Sequence, residues 1–269
     1  MEVTVTKHHG LGNDFLVYDV AQGAPSRPWP DVAVQLCDRR MGIGADGLLV
    51  LHRNGNLSAS MALFNSDGSR AEMSGNGIRC LVQAAYMADA TSGECTYSVS
   101  TDAGERQVQV LGGPVDGLQS VVVDMGIIED IDAPAQWSLL EAHPDRPVRH
   151  VSLGNPHSVV AVDDVKLVDL VSLGAKVSDV NLEVVEPGPE SHAITMRVHE
   201  RGAGVTLACG TGACASAEAA LSWGIVPSST TEVLVHMDGG DARVRIDAAT
   251  RRATLIGPTQ YIATVTVNV

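Results

Sequence analysis

Aromatic residues are scarce in this chain: four Tyr, three Trp and two Phe make up 3% of its 269 residues. With so few rings, Val, Leu, Ile and Ala must fill the core, and an apolar content of 45% suffices for a substantial one, which argues against disorder. Basic residues are also few, 18 Lys and Arg against 32 Asp and Glu, for a formal net charge of −14. A surface that acidic repels nucleic acid and anionic membranes over most of its area, so neither is expected as a partner. No apolar run approaches the roughly 18 residues of a membrane helix. The opening Met1-Glu2-Val3-Thr4-Val5-Thr6 lacks the basic and apolar regions of a secretory signal. Five cysteines, Cys37, Cys80, Cys95, Cys209 and Cys214, include no Cys-x-x-Cys pair. Their odd number and spacing argue against a zinc site and a disulfide framework, and point to a reducing cytoplasm.

Short stretches rich in β-branched residues, punctuated by Gly, Asp, Asn and Pro, predict strands. In the first half these are Phe15–Val20, Gly47–His52, Ser58–Phe64, Thr96–Thr101, Gln107–Leu111 and Gln119–Met125. In the second they are His150–Ser152, Val159–Val162, Val180–Val185, Ala193–Val198, Thr231–His236 and Arg243–Asp247. Few segments read as helices. The two that matter, Gly75–Ala90 and Gly210–Trp223, are rich in small residues and poor in β-branched ones.

These two helices begin alike. Ser74-Gly75-Asn76-Gly77 is followed by Ala84-Ala85, and Cys209-Gly210-Thr211-Gly212 by Ala219-Ala220 at the same offsets, 135 residues further on. Leu11-Gly12-Asn13 likewise recurs as Leu153-Gly154-Asn155, 142 residues later. Two echoes in the same order at nearly the same offset predict an internal duplication. The period is far too long for a solenoid and implies two related domains.

Each repeated start puts a nucleophile-sized side chain and Gly-x-Gly at a helix N-terminus. Glycine lets the backbone approach a ligand closely. The first N–H groups of a helix lack helical partners and carry the positive end of its dipole, a place suited to a substrate carboxylate. The same field lowers a cysteine pKa. Cys209 is therefore the candidate base or nucleophile, while Cys37, Cys80, Cys95 and Cys214 read as structural thiols. Gly42-Ile43-Gly44-Ala45-Asp46-Gly47 matches the dinucleotide pattern Gly-x-Gly-x-x-Gly, but strand-like Leu48-Leu49-Val50-Leu51 follows where a helix is required. A thiol hydrolase built on Cys209, His157 and an Asn would leave the second helix start without a purpose.

Several blocks, in order along nearly the whole chain, resemble the diaminopimelate epimerase family. They are His9-Gly10-Leu11-Gly12-Asn13-Asp14-Phe15, Arg39-Arg40-Met41 through Gly47, Asn65-Ser66-Asp67-Gly68-Ser69, and Glu72-Met73-Ser74 through Cys80. Gly154-Asn155-Pro156-His157 and Glu200-Arg201-Gly202-Ala203-Gly204, leading to Ala208-Cys209-Gly210-Thr211-Gly212, continue the series. The resemblance implies an α/β (α+β) fold of two pseudo-symmetric domains, each a mixed β-sheet wrapped around a central helix, with the active site in the cleft between them. Residues 1–116, completed by a returning last strand at 259–269, would form one half and residues 117–258 the other. The implied reaction is interconversion of LL- and meso-2,6-diaminopimelate, on the way to lysine and peptidoglycan, without pyridoxal phosphate, metal or other cofactor. A homodimer is the implied assembly, and a small amino acid the implied substrate.

By motif match, Cys209 and the residue at position 74 would be the two proton-transfer groups, facing each other from opposite helix starts, with Glu200 and His157 adjusting their protonation. Gly75, Asn76, Gly210 and Thr211 would hold the α-carboxylate. Asn13, Asn65, Asn155, Asn181, Glu200 and Arg201 would hold the rest of the substrate, Arg201 by gripping the distal carboxylate. For each Asn the alternative is a turn residue.

The family has cysteine at position 74, and this chain has Ser74. A hydroxyl is a far weaker acid than a thiol. Ser74 is open to three readings: a substitution introduced to trap a substrate complex, a natural active variant, or the mark of a homologue that binds without epimerising. Related hydroxyproline epimerases tolerate serine there. Racemases of the same superfamily acting on proline, hydroxyproline or histidine are the other enzymatic reading, and a non-catalytic amino-acid-binding protein the contrasting one.

Overall fold

The computed structural model describes residues 2–268. Its contacts divide the chain into two compact units, Met1–Val123 with Gly257–Val269, and Asp124–Ile256. Four α-helices, α1 (Trp29–Cys37), α2 (Gly75–Ala88), α3 (Leu170–Lys176) and α4 (Gly210–Trp223), are set among many strands. The first nine strands are β1 (Glu2–Gly10), β2 (Asn13–Asp19), β3 (Gly47–Gly55), β4 (Ser58–Asn65), β5 (Arg70–Ala71), β6 (Cys95–Thr101), β7 (Gly104–Val110), β8 (Leu118–Ile127) and β9 (Glu129–Asp130). The others are β10 (Val148–Ser152), β11 (Pro156–Ala161), β12 (Asn181–Pro187), β13 (Ala193–Glu200), β14 (Gly204–Thr206), β15 (Val233–Met237), β16 (Gly240–Ile246) and β17 (Arg252–Asn268).

The duplication read from two short echoes runs through the whole strand order. In the first unit β1 and β2 are antiparallel, β2 and β3 parallel (Phe15 opposite Gly47), β3 and β4 antiparallel, and β4 and β6 parallel. Antiparallel β6–β7 and β7–β8 pairs follow. In the second unit β10 and β11 are antiparallel, β11 and β12 parallel (His157 opposite Asn181), β12 and β13 antiparallel, and β13 and β15 parallel. Antiparallel β15–β16 and β16–β17 pairs complete the same pattern.

Each sheet wraps one helix. In α2, Gly75 through Tyr86 are all buried, and in α4, Gly210 through Ala220 are. A helix buried on every side needs small or apolar side chains all round, which explains the Ala, Gly and Cys content that drew attention to both segments. The other helices lie on the opposite sheet faces. Val32, Ala33 and Leu36 of α1 pack on Leu16, Leu48 and Val50, and Leu170 of α3 packs on Val160, Leu182 and Val184. Alternation along β12 therefore turns Leu182 and Val184 outward and Asn181 and Glu183 toward α4.

Most expected strands recur with ends displaced by one to three residues. The first central helix stops at Ala88, two residues early, because Ala90 adopts a left-handed φ of 50°. The larger difference is β17, 17 residues long, whose later part pairs with β1 from His9 opposite Gln260 to Glu2 opposite Asn268. Its Gly257-Pro258 reads locally as a turn. The strand runs through because a Cβ at Gly257 would lie 3.1 Å from Arg79 Cζ, and Pro258 O accepts from Arg79 Nε at 3.2 Å. No helix among the described residues is long and apolar enough to cross a membrane.

Candidate active site

The site residues expected from sequence fall into two sets, one around each central-helix start. Ser74 and Cys209 are the N-caps of α2 and α4 with nearly the same backbone, φ −141° and ψ 122° against φ −128° and ψ 117°. Ser74 Oγ accepts from Gly77 N at 3.0 Å, and Cys209 Sγ from Gly212 N at 3.4 Å. Both thus meet one amide of the first turn in the ordinary manner of an N-cap.

In the first unit the structure joins Asn76 to Asn13, whose Oδ1 accepts from Asn76 Nδ2 at 3.1 Å. Asn13 Nδ2 in turn donates to Asp46 Oδ2 at 2.8 Å, and Asp46 is held by Arg39 through Oδ1 at 2.7 Å. Behind Asn76 lies Arg79, fully buried, donating Nη2 to Asn76 Oδ1 at 2.7 Å and Nη1 to Gly75 O at 3.1 Å. Asn65 ends β4 just before a turn, with its N bonded to Ser69 O at 2.8 Å and its Nδ2 to Ser69 Oγ at 3.0 Å.

In the second unit one chain of hydrogen bonds runs to the thiol. His157 and Glu183 are both fully buried, with Nδ1 and Oε1 2.7 Å apart. His157 Nε2 is 3.1 Å from Asn155 Oδ1, Asn155 Nδ2 donates to Thr211 Oγ1 at 3.3 Å, and Thr211 Oγ1 is 3.4 Å from Cys209 Sγ. Asn181 Oδ1 accepts from Arg201 N at 2.9 Å while its Nδ2 donates to Pro156 O at 3.0 Å, so it fixes the β13–β14 turn. Arg201 is exposed at that turn. Glu200 Oε1 accepts from Thr206 Oγ1 at 2.5 Å.

The electrostatics correct one expectation. The helix terminus was expected to lower the Cys209 pKa. Instead burial pushes this thiol well above its ordinary value, and the carboxylates of Glu200 and Glu183 push it further, against the Thr211 hydroxyl and Gly212 N–H. Desolvation of the charged form and two like charges outweigh two hydrogen bonds from a helix start. Cys209 therefore rests as a thiol. Burial also pushes Cys37 up to about 12 and Cys80 up to about 11, as for inert structural thiols. Glu183 is itself raised by burial, against the pull of His157.

Arg39, Asp46, Arg79 and Glu183 of these networks were given no role from the sequence. Glu183 had a legible signal, because Asn181-Leu182-Glu183-Val184 alternates polar and apolar residues inside an otherwise apolar strand. Arg79 had none, since a helical arginine reads as solvent-facing. Asp46 sat in a segment weighed for nucleotide binding and matched as a family block, with no role given to its carboxylate, and the segment runs directly into β3.

The fold is shared with solved amino-acid epimerases and related proteins. A hydroxyproline epimerase from Agrobacterium vitis, solved with trans-4-hydroxy-L-proline, superposes with a TM-score of 0.71 at 17% identity, over 99% of this chain and 91% of that one. A phenazine biosynthesis protein of the PhzF family from Bacillus anthracis gives 0.76 at 13% identity over all of both chains. These likenesses define the class by fold, a duplicated mixed sheet around two central helices. Sequence relatives are nearer. The diaminopimelate epimerase of Synechocystis sp. is 40% identical, covering 97% of this chain and 98% of its own length, and that of Nostoc punctiforme is 37% identical over 98% and 99%. The family model described as diaminopimelate epimerase matches residues 5–129 and 149–262. The chain belongs to the diaminopimelate epimerase family, a family of isomerases.

Proposed function

We propose that this protein interconverts LL- and meso-2,6-diaminopimelate by exchanging the Cα proton between two groups, Cys209 and the residue at position 74. The observation that carries the reading is the matched pair of N-caps, Ser74 on α2 and Cys209 on α4, each followed by Gly-x-Gly in a buried first turn. Inversion at a carbon requires a base toward one face and an acid toward the other, and duplicated helix starts supply two equivalent positions. The first-turn amides of Gly75 and Asn76, and of Gly210 and Thr211, would stabilise charge developing on the α-carboxylate, so the reading needs no electron-sink cofactor. Arg201, Asn13, Asn155 and Asn181 would hold the remaining polar atoms of the substrate, with Glu200 and His157 governing the proton on Cys209. A cytoplasmic homodimer is part of the same reading.

Charge and proton count favour one role for Cys209 at rest. As a thiol it delivers a proton. To take one, it must first pass its own to a nearby group. Ser74, a hydroxyl, is a poor acceptor in the opposite direction.

NMR-monitored uptake of deuterium at Cα, with LL- and meso-diaminopimelate offered separately, tests the reading. Exchange of either isomer, abolished by Cys209→Ala, is the expected result. Exchange of proline, hydroxyproline or histidine in place of diaminopimelate would move the chain to a sister activity. Binding of diaminopimelate without exchange would make it an amino-acid-binding homologue.

A further inference from the structure

The two units offer an internal control for each buried side chain around the central helices. β2 and β3 pair in parallel with Phe15 opposite Gly47, and β11 and β12 pair in parallel with His157 opposite Asn181. Two residues further along, Val17 faces Leu49 in the first pair and Val159 faces Glu183 in the second. His157 and Glu183 thus occupy the places of Phe15 and Leu49. The contacts agree: a Cβ on Gly77 in α2 would lie 3.3 Å from Leu49 Cδ2, and one on the matching Gly212 in α4 would lie 2.6 Å from Glu183 Oε1.

One unit therefore builds this position from apolar side chains, all but fully buried, and the other from an ionisable pair with no solvent exposure. Replacing a buried ionic pair by well-packed apolar residues is often neutral or stabilising, so folding alone does not explain the pair. Glu183 Oε2 also has no hydrogen-bond partner among the described residues. A carboxylate kept at that cost is kept for what Oε1 does.

We propose that Glu183 is a positioning residue that makes His157 the proton reservoir for Cys209. This rests on the epimerase reading above and deepens it. Glu183 Oε1 accepts from Nδ1–H and keeps that proton on the ring, so only Nε2 is left to gain or lose one. With a proton on Nε2, that nitrogen donates to Asn155 Oδ1, the Asn155 amide donates to the Thr211 hydroxyl, and the hydroxyl is free to donate to the Cys209 thiolate. With Nε2 bare, the Asn155 amide turns over and donates to it. The Thr211 hydroxyl then donates to the Asn155 oxygen and accepts from the Cys209 thiol. The proton lost by Sγ is the proton gained by Nε2, so the total is conserved while the chain reverses direction. Glu200 on β13 is the other charge bearing on Cys209 and favours the thiol in both states. Without Glu183 either ring nitrogen of His157 could hold the proton, and the coupling to Cys209 would be lost.

The test compares Glu183→Leu, Glu183→Gln and the double change Glu183→Leu with His157→Phe, which copies the first unit. Two readouts are used: 15N NMR of the His157 ring, assigned by its loss in His157→Phe, and Cα deuterium exchange with diaminopimelate. Glu183→Leu is expected to abolish the hydrogen-bonded Nδ1 proton signal and to lower the exchange kcat by 100-fold or more, with KM within about threefold. Glu183→Gln keeps an acceptor for Nδ1–H and is expected to retain the signal and recover at least tenfold of the lost rate. The double variant should fold as stably as the parent and be inactive. A wild-type ring without a proton on Nδ1, or Glu183→Leu with undiminished kcat, would overturn the proposal. If no diaminopimelate exchange occurs in any form, the epimerase reading fails, while the ring resonances still decide whether Glu183 holds His157.

Discussion

Arg79 donates Nη2 to Asn76 Oδ1 at 2.7 Å from a position with no solvent exposure. The guanidinium is accommodated by glycine on both sides, since a Cβ at Gly10 would meet Nη2 at 3.0 Å and one at Gly257 would meet Cζ at 3.1 Å. Its Nη1 and Nε bind Gly75 O and Pro258 O, tying the start of α2 to β17. Arg79→Met would strip a donor from the buried Asn76 Oδ1 and the partly buried Pro258 O, at about 1–3 kcal/mol for a buried acceptor left unpaired, while Gly75 O keeps its helical amide partner. The expected result is a stability loss of roughly 2 kcal/mol, read as a lower urea midpoint at constant m-value. An unchanged midpoint would show that the first turn of α2 holds itself.

Ser74→Cys is expected to raise epimerase turnover, because it restores at the α2 start a group able to become an anion. General acid–base groups contribute about 10²–10⁴-fold, and the gain should approach that range if the hydroxyl limits the rate. The serine form should also exchange unevenly. The isomer whose Cα proton points at Cys209 should take up deuterium, and the other should scarcely do so. Rapid, equal exchange of both isomers by the unaltered chain would place it among enzymes that work with one serine and one cysteine.

Arg201 tests the distal end of the substrate. Its backbone is fixed by Asn181, and its side chain is exposed at the β13–β14 turn. Arg201→Lys should weaken diaminopimelate binding, because an ammonium cannot reproduce the two-pronged hold of a guanidinium on a carboxylate. An unaltered dissociation constant, measured calorimetrically, would return Arg201 to a structural role and favour a monocarboxylate substrate.

His8 should make the fold sensitive to acid. Its ring is fully buried, Nδ1 lies 2.8 Å from Gln83 Oε1 and Nε2 2.9 Å from Thr6 Oγ1. Burial lowers its pKa from 6.5 to about 4, against the Gln83 hydrogen bond. The unfolded chain therefore binds a proton that the folded one refuses. This contribution, of the order of 3 kcal/mol, is complete above about pH 6.5 and disappears as pH falls to about 4. Urea unfolding across that window should show the loss, and His8→Gln should flatten the slope. A parallel slope in the variant would assign the acid sensitivity to other groups.

The sequence by itself determined the elements, the duplication and the chemical types at the two helix starts. Those are local properties. Ser74 and Cys209 cap helices because of the glycines and small residues that follow them, and β-branched runs between turns make strands wherever they lie. Tertiary structure decided how each group behaves. It set Cys209 as a thiol, because burial and the approach of Glu183 and Glu200 oppose the helix start, and none of the three is adjacent in the chain. It carried β17 through Gly257-Pro258, where local rules place a turn, because Arg79, 178 residues earlier, occupies the space a side chain would fill. It turned Glu183 inward onto His157, a pairing created only by the parallel register of β11 and β12. Proton affinity depends on the surrounding dielectric and charges, which for a buried group are supplied by residues distant in sequence.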